Sequence, residues 1–358
     1  MSQTTTIPVH VLTGFLGSGK TTLLNCALQA GFGPETAVVV NEFGDVGLDQ
    51  LFVQARSEET IVLKSGCVCC TIRADLASTL LQLLSARGSS VPAFRRILIE
   101  TSGISDPLPI LQTLRSDFNL LTRFRLGSVI CTIGAFDAAS ALFRPEGLAQ
   151  VTAADAIVIT KCDIADGAQV AAARDATAAL NPLAEVIPAE GDVLVDWLAR
   201  CEAKDHPPES ALRMVAIPTT SAQGHGVRSI VLRAASAPSW PRFAVWLTRL
   251  VFLHGDRILR VKGLLFDSDR GTWIGIHGVR RFFHPPVHLA LNEPPDCGAC
   301  LVFITERLDP LLIERSYQDL LEGSTSADTL GPGVPLVAAS FRSESSAKPR
   351  EQMVARTI

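Results

Sequence analysis

The stretch HVLTGFLGSGKTTLL, His10 to Leu24, decides how the chain is read. An apolar run, then Gly14-x-x-x-x-Gly19-Lys20-Thr21, then leucines at helical spacing spell a strand, a phosphate-cradling loop and a helix. The chemistry needs these residue types in this order. Glycines at Gly14, Gly17 and Gly19 let the backbone curl. Successive N–H groups from the loop and the helix start, through Ser18, Thr21 and Thr22, can then face phosphate oxygens. Lys20 is expected to bridge the β and γ phosphates, and Thr21 to offer its hydroxyl to magnesium.

Two later motifs suit the same site. In RRILIETSGISDP, Glu100 ends an apolar strand, where its carboxylate can hold the magnesium shell or its water, and Gly103 can bring a backbone N–H near the γ-phosphate. Lys20, Thr21 and Glu100 are therefore the expected catalytic set. In AIVITKCD, the Asp163 carboxylate can accept from both the ring N–H and the exocyclic amine of guanine, whereas adenine offers neither donor there. Lys161 would lay its stem over the ring. The usual GTPase sequence here is Asn-Lys-x-Asp, and this chain has Thr160 for the Asn. One hydroxyl in place of an amide predicts a weaker tether between base loop and P-loop.

The bulk properties bound the partners. The 358 residues suggest two domains; 47% are hydrophobic and 19% charged, and a net charge of −4 gives no basic footprint for nucleic acid. The N-terminus has no signal-peptide pattern and no run of 18 apolar residues offers a membrane span, so the expected location is the cytoplasm, with no membrane partner. Apolar runs at 7–13, 36–40, 60–63, 96–100, 127–133 and 156–160 alternate with helix-like stretches at 20–30, 72–86, 107–114 and 167–180. This predicts an α/β P-loop domain over 1–200 with a mainly parallel sheet. A linker over 201–218 follows, opening on the polar, proline-bearing CEAKDHPPE, then a smaller α+β domain over 219–322 with a mostly antiparallel sheet. The tail 323–358, rich in Ser, Ala, Gly and Pro, is expected to be disordered.

Nine cysteines in a cytosolic chain point away from a disulfide framework. Cys67, Cys69 and Cys70 stand together in LKSGCVCCTIRADL, just before a helix that Thr71 can cap and whose Leu76, Leu80, Leu83 and Leu84 recur at helical spacing. A helix start lowers cysteine pKa values, and thiolates are soft ligands for zinc or copper(I). Neighbouring cysteines of an extended strand face opposite ways, so a turn at Gly66 is required for all three to meet one ion. A fourth ligand must come from elsewhere: Glu42, which with Asp45 and Asp49 follows the second strand, or water.

GFLGSGKTT, NEFGDVGLD, GCVCCTIRADL, ETSGISDP and TKCD stand in the order found in the CobW-like GTPases, relatives of the urease and hydrogenase nickel-insertion GTPases. ILRVKGLL and HGVRRFFHPP resemble that family's C-terminal domain. The resemblance implies a magnesium-dependent GTPase metallochaperone. It would bind GTP and GDP, hold zinc, or cobalt or nickel, at the cysteines, and pass metal to a client metalloenzyme or its apo form. A homodimer is one option for its assembly. Many relatives carry a histidine-rich interdomain stretch; here that region holds His206.

Other readings stand beside these. A P-loop ATPase or kinase would use the cysteines structurally, an assembly adaptor would carry no metal, and a redox sensor would oxidise Cys67 to Cys70. Cys297 and Cys300 lack a second Cys-x-x-Cys and read as structural. Cys26, Cys131, Cys162 and Cys201 read as buried small hydrophobes. His225, His284 and His288 read as loop or strand residues, and the apolar positions of 240–253 as core or a client groove.

Overall fold

The computed structural model describes residues 6–32, 35–41, 61–65, 72–203, 226–234, 238–267, 270–289 and 299–322. Seven strands, β1 (Ile7–Gly14), β2 (Thr36–Asn41), β3 (Ile61–Ser65), β4 (Arg96–Thr101), β5 (Phe124–Gly134), β6 (Ala156–Thr160) and β7 (Glu185–Pro188), form a sheet of order β3-β2-β4-β1-β5-β6-β7. Every pairing in it is parallel. Helices cover both faces, so its strands are near-continuous apolar runs. Val9, Val11, Val39, Ile97 and Ile99 face α2 (Ile72–Ala86) and α3 (Leu108–Ser116). Leu12, Val38, Val40 and Leu98 face α1 (Lys20–Ala27) and α8 (Val193–Ala203).

The expected helix over 20–30 is shorter. After Ala27 the chain widens into a π-turn, Leu28–Phe32, ahead of Pro34, which disfavours helical geometry before it. Strand β7 and four helices, α4 (Phe118–Leu121), α5 (Ala138–Leu142), α6 (Pro145–Ala153) and α8, had not been expected from the sequence. α7 spans Gly167–Leu180 as expected, capped by Asp166 and Gln169 reciprocally.

The expected linker opens on three residues, Cys201 to Ala203, that are the last turn of α8. Glu202 explains why the helix persists. Its carboxylate accepts from Arg96 Nε and Nη2, both at 2.6 Å, and faces His10 Nε2 at 3.5 Å. Burial alone would raise this carboxyl, but the close approach of His10 and the bonds and charge of Arg96 outweigh it and bring it down to about 2 from the ordinary 4.5. A depressed folded pKa adds stability that is present above 4.5 and lost as pH falls from there towards 2. Urea midpoints at pH 6 and pH 3 should therefore differ less in Glu202→Gln than in the wild type; an equal difference would assign the acid loss to other groups.

The second sheet is antiparallel, in the order β11-β10-β9-β13-β8, with β12 beside β10. Its strands are β8 (Val227–Ala234), β9 (Ile258–Asp267), β10 (Thr272–Val279), β11 (Phe282–Phe283), β12 (Val287–Leu289) and β13 (Ala299–Glu306). Helices α9 (Trp240–His254) and α10 (Pro310–Glu322) pack on it. One face of α9 is core, with Trp246 packed 5.2 Å from Tyr317 and 6.1 Å from Phe303 by ring centroids. Leu247, Val251 and Phe252 of α9 also line a cavity of 370 Å³ with Phe283, so the helix serves both core and groove.

A continuous apolar cluster joins the two sheets, running from Ile157, Ile159 and Leu180 to Ile258, Val261 and Phe303. Inside it lies a charged knot. Arg260, 0% exposed, donates to Asp155, to the carbonyls of Thr152 (3.2 Å) and Ala153, and Lys262 Nζ lies 3.2 Å from Asp155. The Arg260 and Lys262 charges hold the Asp155 carboxyl well below its ordinary range although burial opposes them. Burial pushes Lys262 down to about 8. Partial burial and the neighbouring His284 and Arg260 push the His277 pKa well below its ordinary value, and its Nε2 lies 3.1 Å from Arg260 Nη2. Among the described residues no helix is long and apolar enough to cross a membrane.

Candidate nucleotide site

The site is built at the carboxyl ends of the central strands, where open parallel sheets bind ligands. After β1 the backbone enters left-handed geometry at Gly19, φ 91°, which a side chain would strain. Lys20 is buried and its Nζ donates to the carbonyls of Gly14 (2.9 Å) and Phe15 (3.2 Å), so the ammonium is folded over the loop that would cradle phosphate. Ser18 Oγ lies 2.6 Å from Thr132 Oγ1, fixing the loop to the end of β5. Gly17 and Thr22 lie exposed on the outside of the loop and helix start.

Thr21 and Glu100 meet. The Thr21 hydroxyl donates to Glu100 Oε1 at 2.6 Å, and the carboxylate is 4% exposed at the end of β4. Two hard oxygen donors side by side beside the P-loop fit the preferences of magnesium, which binds through one or two protein oxygens and the nucleotide's own phosphates. Gly103 lies on the P-loop itself: a Cβ there would come within 2.6 Å of the Leu16 amide nitrogen. That contact explains the glycine. Gln150 of α6 holds the same segment, donating from Nε2 to the carbonyls of Gly103 (3.1 Å) and Ser105 (3.0 Å).

At the expected base-reading end, Thr160 does reach the P-loop. Thr160 Oγ1 donates to the Ser18 carbonyl of the P-loop at 2.6 Å, with the Ile133 carbonyl at 3.2 Å, so a single hydroxyl makes the link. Lys161 sits at φ 61° with its stem over Gly134, where a Cβ would lie 3.5 Å from Lys161 Cδ. Its ammonium pairs with Asp137 Oδ2 at 3.1 Å. Asp137 was missed by sequence reasoning; its signal was an acid just past the end of β5, the strand beside β6. Asp163 lies exposed in the turn after β6.

Glu42, Cys67, Cys69, Cys70 and Thr71 lie outside the described residues, as do Asp45, Asp49, His206, His225 and Cys297. Among the described residues no three His, Cys, Asp or Glu side chains converge as metal ligands. Cys26 departs from its expected burial and is exposed on α1. Cys131 is buried, and desolvation pushes its thiol up to about 12; Cys300 is buried in β13. His284 stacks on His277, centroids 4.3 Å apart, and His288 belongs to β12.

A strand, a glycine loop closing on a buried lysine, and an acid from the neighbouring parallel strand define a P-loop nucleotide-binding protein. Residues 8–188 match the CobW/HypB/UreG nucleotide-binding domain and residues 227–321 the cobalamin synthesis protein cobW C-terminal domain. The chain belongs to the CobW/HypB/UreG family. It is 30% identical over 279 residues to the zinc chaperone YjiA of Escherichia coli, covering 77% of this chain and 87% of that protein. It is 31% identical over 189 residues to zinc-regulated GTPase metalloprotein activator 1 of Schizosaccharomyces pombe, covering 51% of this chain but 45% of the yeast protein. The structure of Zn(II)-bound YjiA GTPase from E. coli superposes with a TM-score of 0.68 at 25% identity, covering 88% of this chain and 99% of that one.

Proposed function

We propose that this protein is a GTPase metallochaperone: it hydrolyses GTP at the P-loop, binds zinc or a similar transition metal through Cys67, Cys69 and Cys70 with Glu42, and passes it to a client metalloenzyme. The observation that carries the nucleotide half is the 2.6 Å bond between Thr21 and Glu100, which pairs the two oxygen donors of a magnesium site beside Lys20. Bound magnesium would neutralise charge building on the phosphates. Lys20 contributes a buried positive charge at the same place, Gly103 a backbone amide, and Lys161 and Asp163 the reading of guanine.

The metal half is supported by chain geometry and by kinship. Asn41 and Ser65 are register partners on adjacent parallel strands, and Asn41 also pairs with Thr101, next to Glu100. Glu42 is the residue after Asn41, and Cys67 is two past Ser65. The described strand ends that precede the two expected ligand segments, Asn41 and Ser65, therefore lie at the same sheet end as Glu100. The relatives named zinc chaperone and zinc-regulated GTPase agree with such a cargo.

The test is titration of the reduced protein with zinc, cobalt and nickel in three states: without nucleotide, with GDP, and with a non-hydrolysable GTP analogue. Metal binding is coupled to nucleotide state in this reading, so affinity should differ among the three states, and identical affinities would refute the coupling. Binding should release protons and strengthen as pH rises through the thiol range. Changing Cys67, Cys69 and Cys70 together to serine should weaken zinc by more than the roughly 10–100-fold that disturbing a ligand's supporting partner costs. Unchanged zinc affinity with intact client activation would sink the chaperone reading, and equal turnover of ATP and GTP would overturn the guanine assignment of Lys161 and Asp163.

A further inference from the structure

Helix α6 is touched by three parts of the molecule within nine residues. At its start, the Arg144 guanidinium lies over the Phe15 ring of the P-loop, 5.2 Å from the ring centre. In its middle, Gln150 is 0% exposed and its amide donates to the Gly103 and Ser105 carbonyls, the segment that lies on Leu16. At its end, the carbonyls of Thr152 and Ala153 accept from Arg260 of the C-terminal domain. Those are helix-terminal carbonyls, which lack partners within the helix and attract cations. Arg260 is held in turn by Asp155, whose other oxygen accepts from the Val129 amide at 2.9 Å.

We infer that Gln150 is a positioning residue for the phosphate-facing loop, and that α6 carries its position to the C-terminal domain through Arg260. The inference rests on the GTPase reading above, in which the Gly103 segment responds to the γ-phosphate. Both carbonyls facing the Gln150 amide are acceptors, so the side chain is oriented with its nitrogen towards the loop. If the loop moves with the γ-phosphate, it either breaks both bonds or takes α6 with it. Two residues along the same short helix the backbone is gripped by a buried guanidinium, so a moving α6 must shift Arg260 and β9. A buried fork bonded to three acceptors has discrete arrangements rather than a continuous range, which is the property a coupling element needs. Linkage makes the effect reciprocal: what loosens Arg260 must alter the preference of the distant site for GTP over GDP.

The experiment uses the full chain and measures affinities for GDP and a non-hydrolysable GTP analogue, with kcat and KM for GTP. Gln150→Met keeps the volume and removes both donors. Arg260→Lys keeps the charge beside Asp155 and removes the planar fork. Each should change the ratio of analogue to GDP affinity by about fivefold or more, the lower end of ordinary coupling between sites. The double variant should change it no more than the larger single effect. Arg96→Lys, at the α8 anchor away from α6, controls for a merely structural loss and should leave the ratio as in the wild type. If Arg260→Lys does not fold, Gln150→Met and the control still decide the loop assignment, and hydrogen exchange of β9 in the GDP and analogue states decides the relay. An unchanged ratio in folded Gln150→Met, additive single effects, or β9 exchange that ignores the nucleotide would overturn the inference. A wild-type protein with no guanine-nucleotide binding would instead overturn the GTPase reading itself.

Discussion

Lys20→Met should fold normally and turn over GTP roughly 10²–10³ times more slowly, the loss expected when one charge-stabilising group is removed from a phosphate-transfer site. Methionine retains the apolar stem in the space the buried lysine fills, so packing against the loop is kept. What disappears is the ammonium now bonded to the Gly14 and Phe15 carbonyls, which in the proposed reaction would face the negative charge gathering on the phosphates. Its loss acts on the transition state more than on the bound substrate, so kcat should fall more than KM rises. Phosphate release at saturating GTP is the measurement. Wild-type turnover would place the phosphates elsewhere.

Asp155→Ala should cost about 3–5 kcal/mol of stability, because it leaves buried charges without their partner. Arg260 and Lys262 are 0% and 4% exposed and both contact this carboxylate. The Val129 amide would lose its acceptor as well. Asp155→Asn keeps an acceptor for that amide and should cost less. Urea unfolding of the two variants checks the order, and an alanine variant as stable as the asparagine one would mean that solvent or rearrangement satisfies the knot.

The nucleotide half of the molecule was legible because its motifs are local. Gly14 to Thr21 encode strand, turn and helix within a dozen residues, and β6 and α7 begin and end where apolar spacing placed them. Counting donors ranks threonine below asparagine, but it could not show that the Thr160 hydroxyl finds the Ser18 carbonyl at 2.6 Å. Gln150, Asp137 and Arg260 were invisible for a different reason. Their partners lie 47, 24 and 105 residues away in the chain, and no spacing rule connects them. Helix α6 was overlooked because its nine residues start with proline and mix glycine and alanine with few large apolar side chains, so it carries no clear helical stripe.

The knot between Asp155 and Arg260 also sets an order of events during synthesis. Ribosomes deliver chain at about 5–20 residues per second, and the two partners are 105 residues apart. For roughly 5–20 seconds the first sheet has an Asp155 without its guanidinium. The nascent first domain is thus a species with its own exposure to chaperones, proteases and neighbouring chains. The second domain ends that interval by arriving.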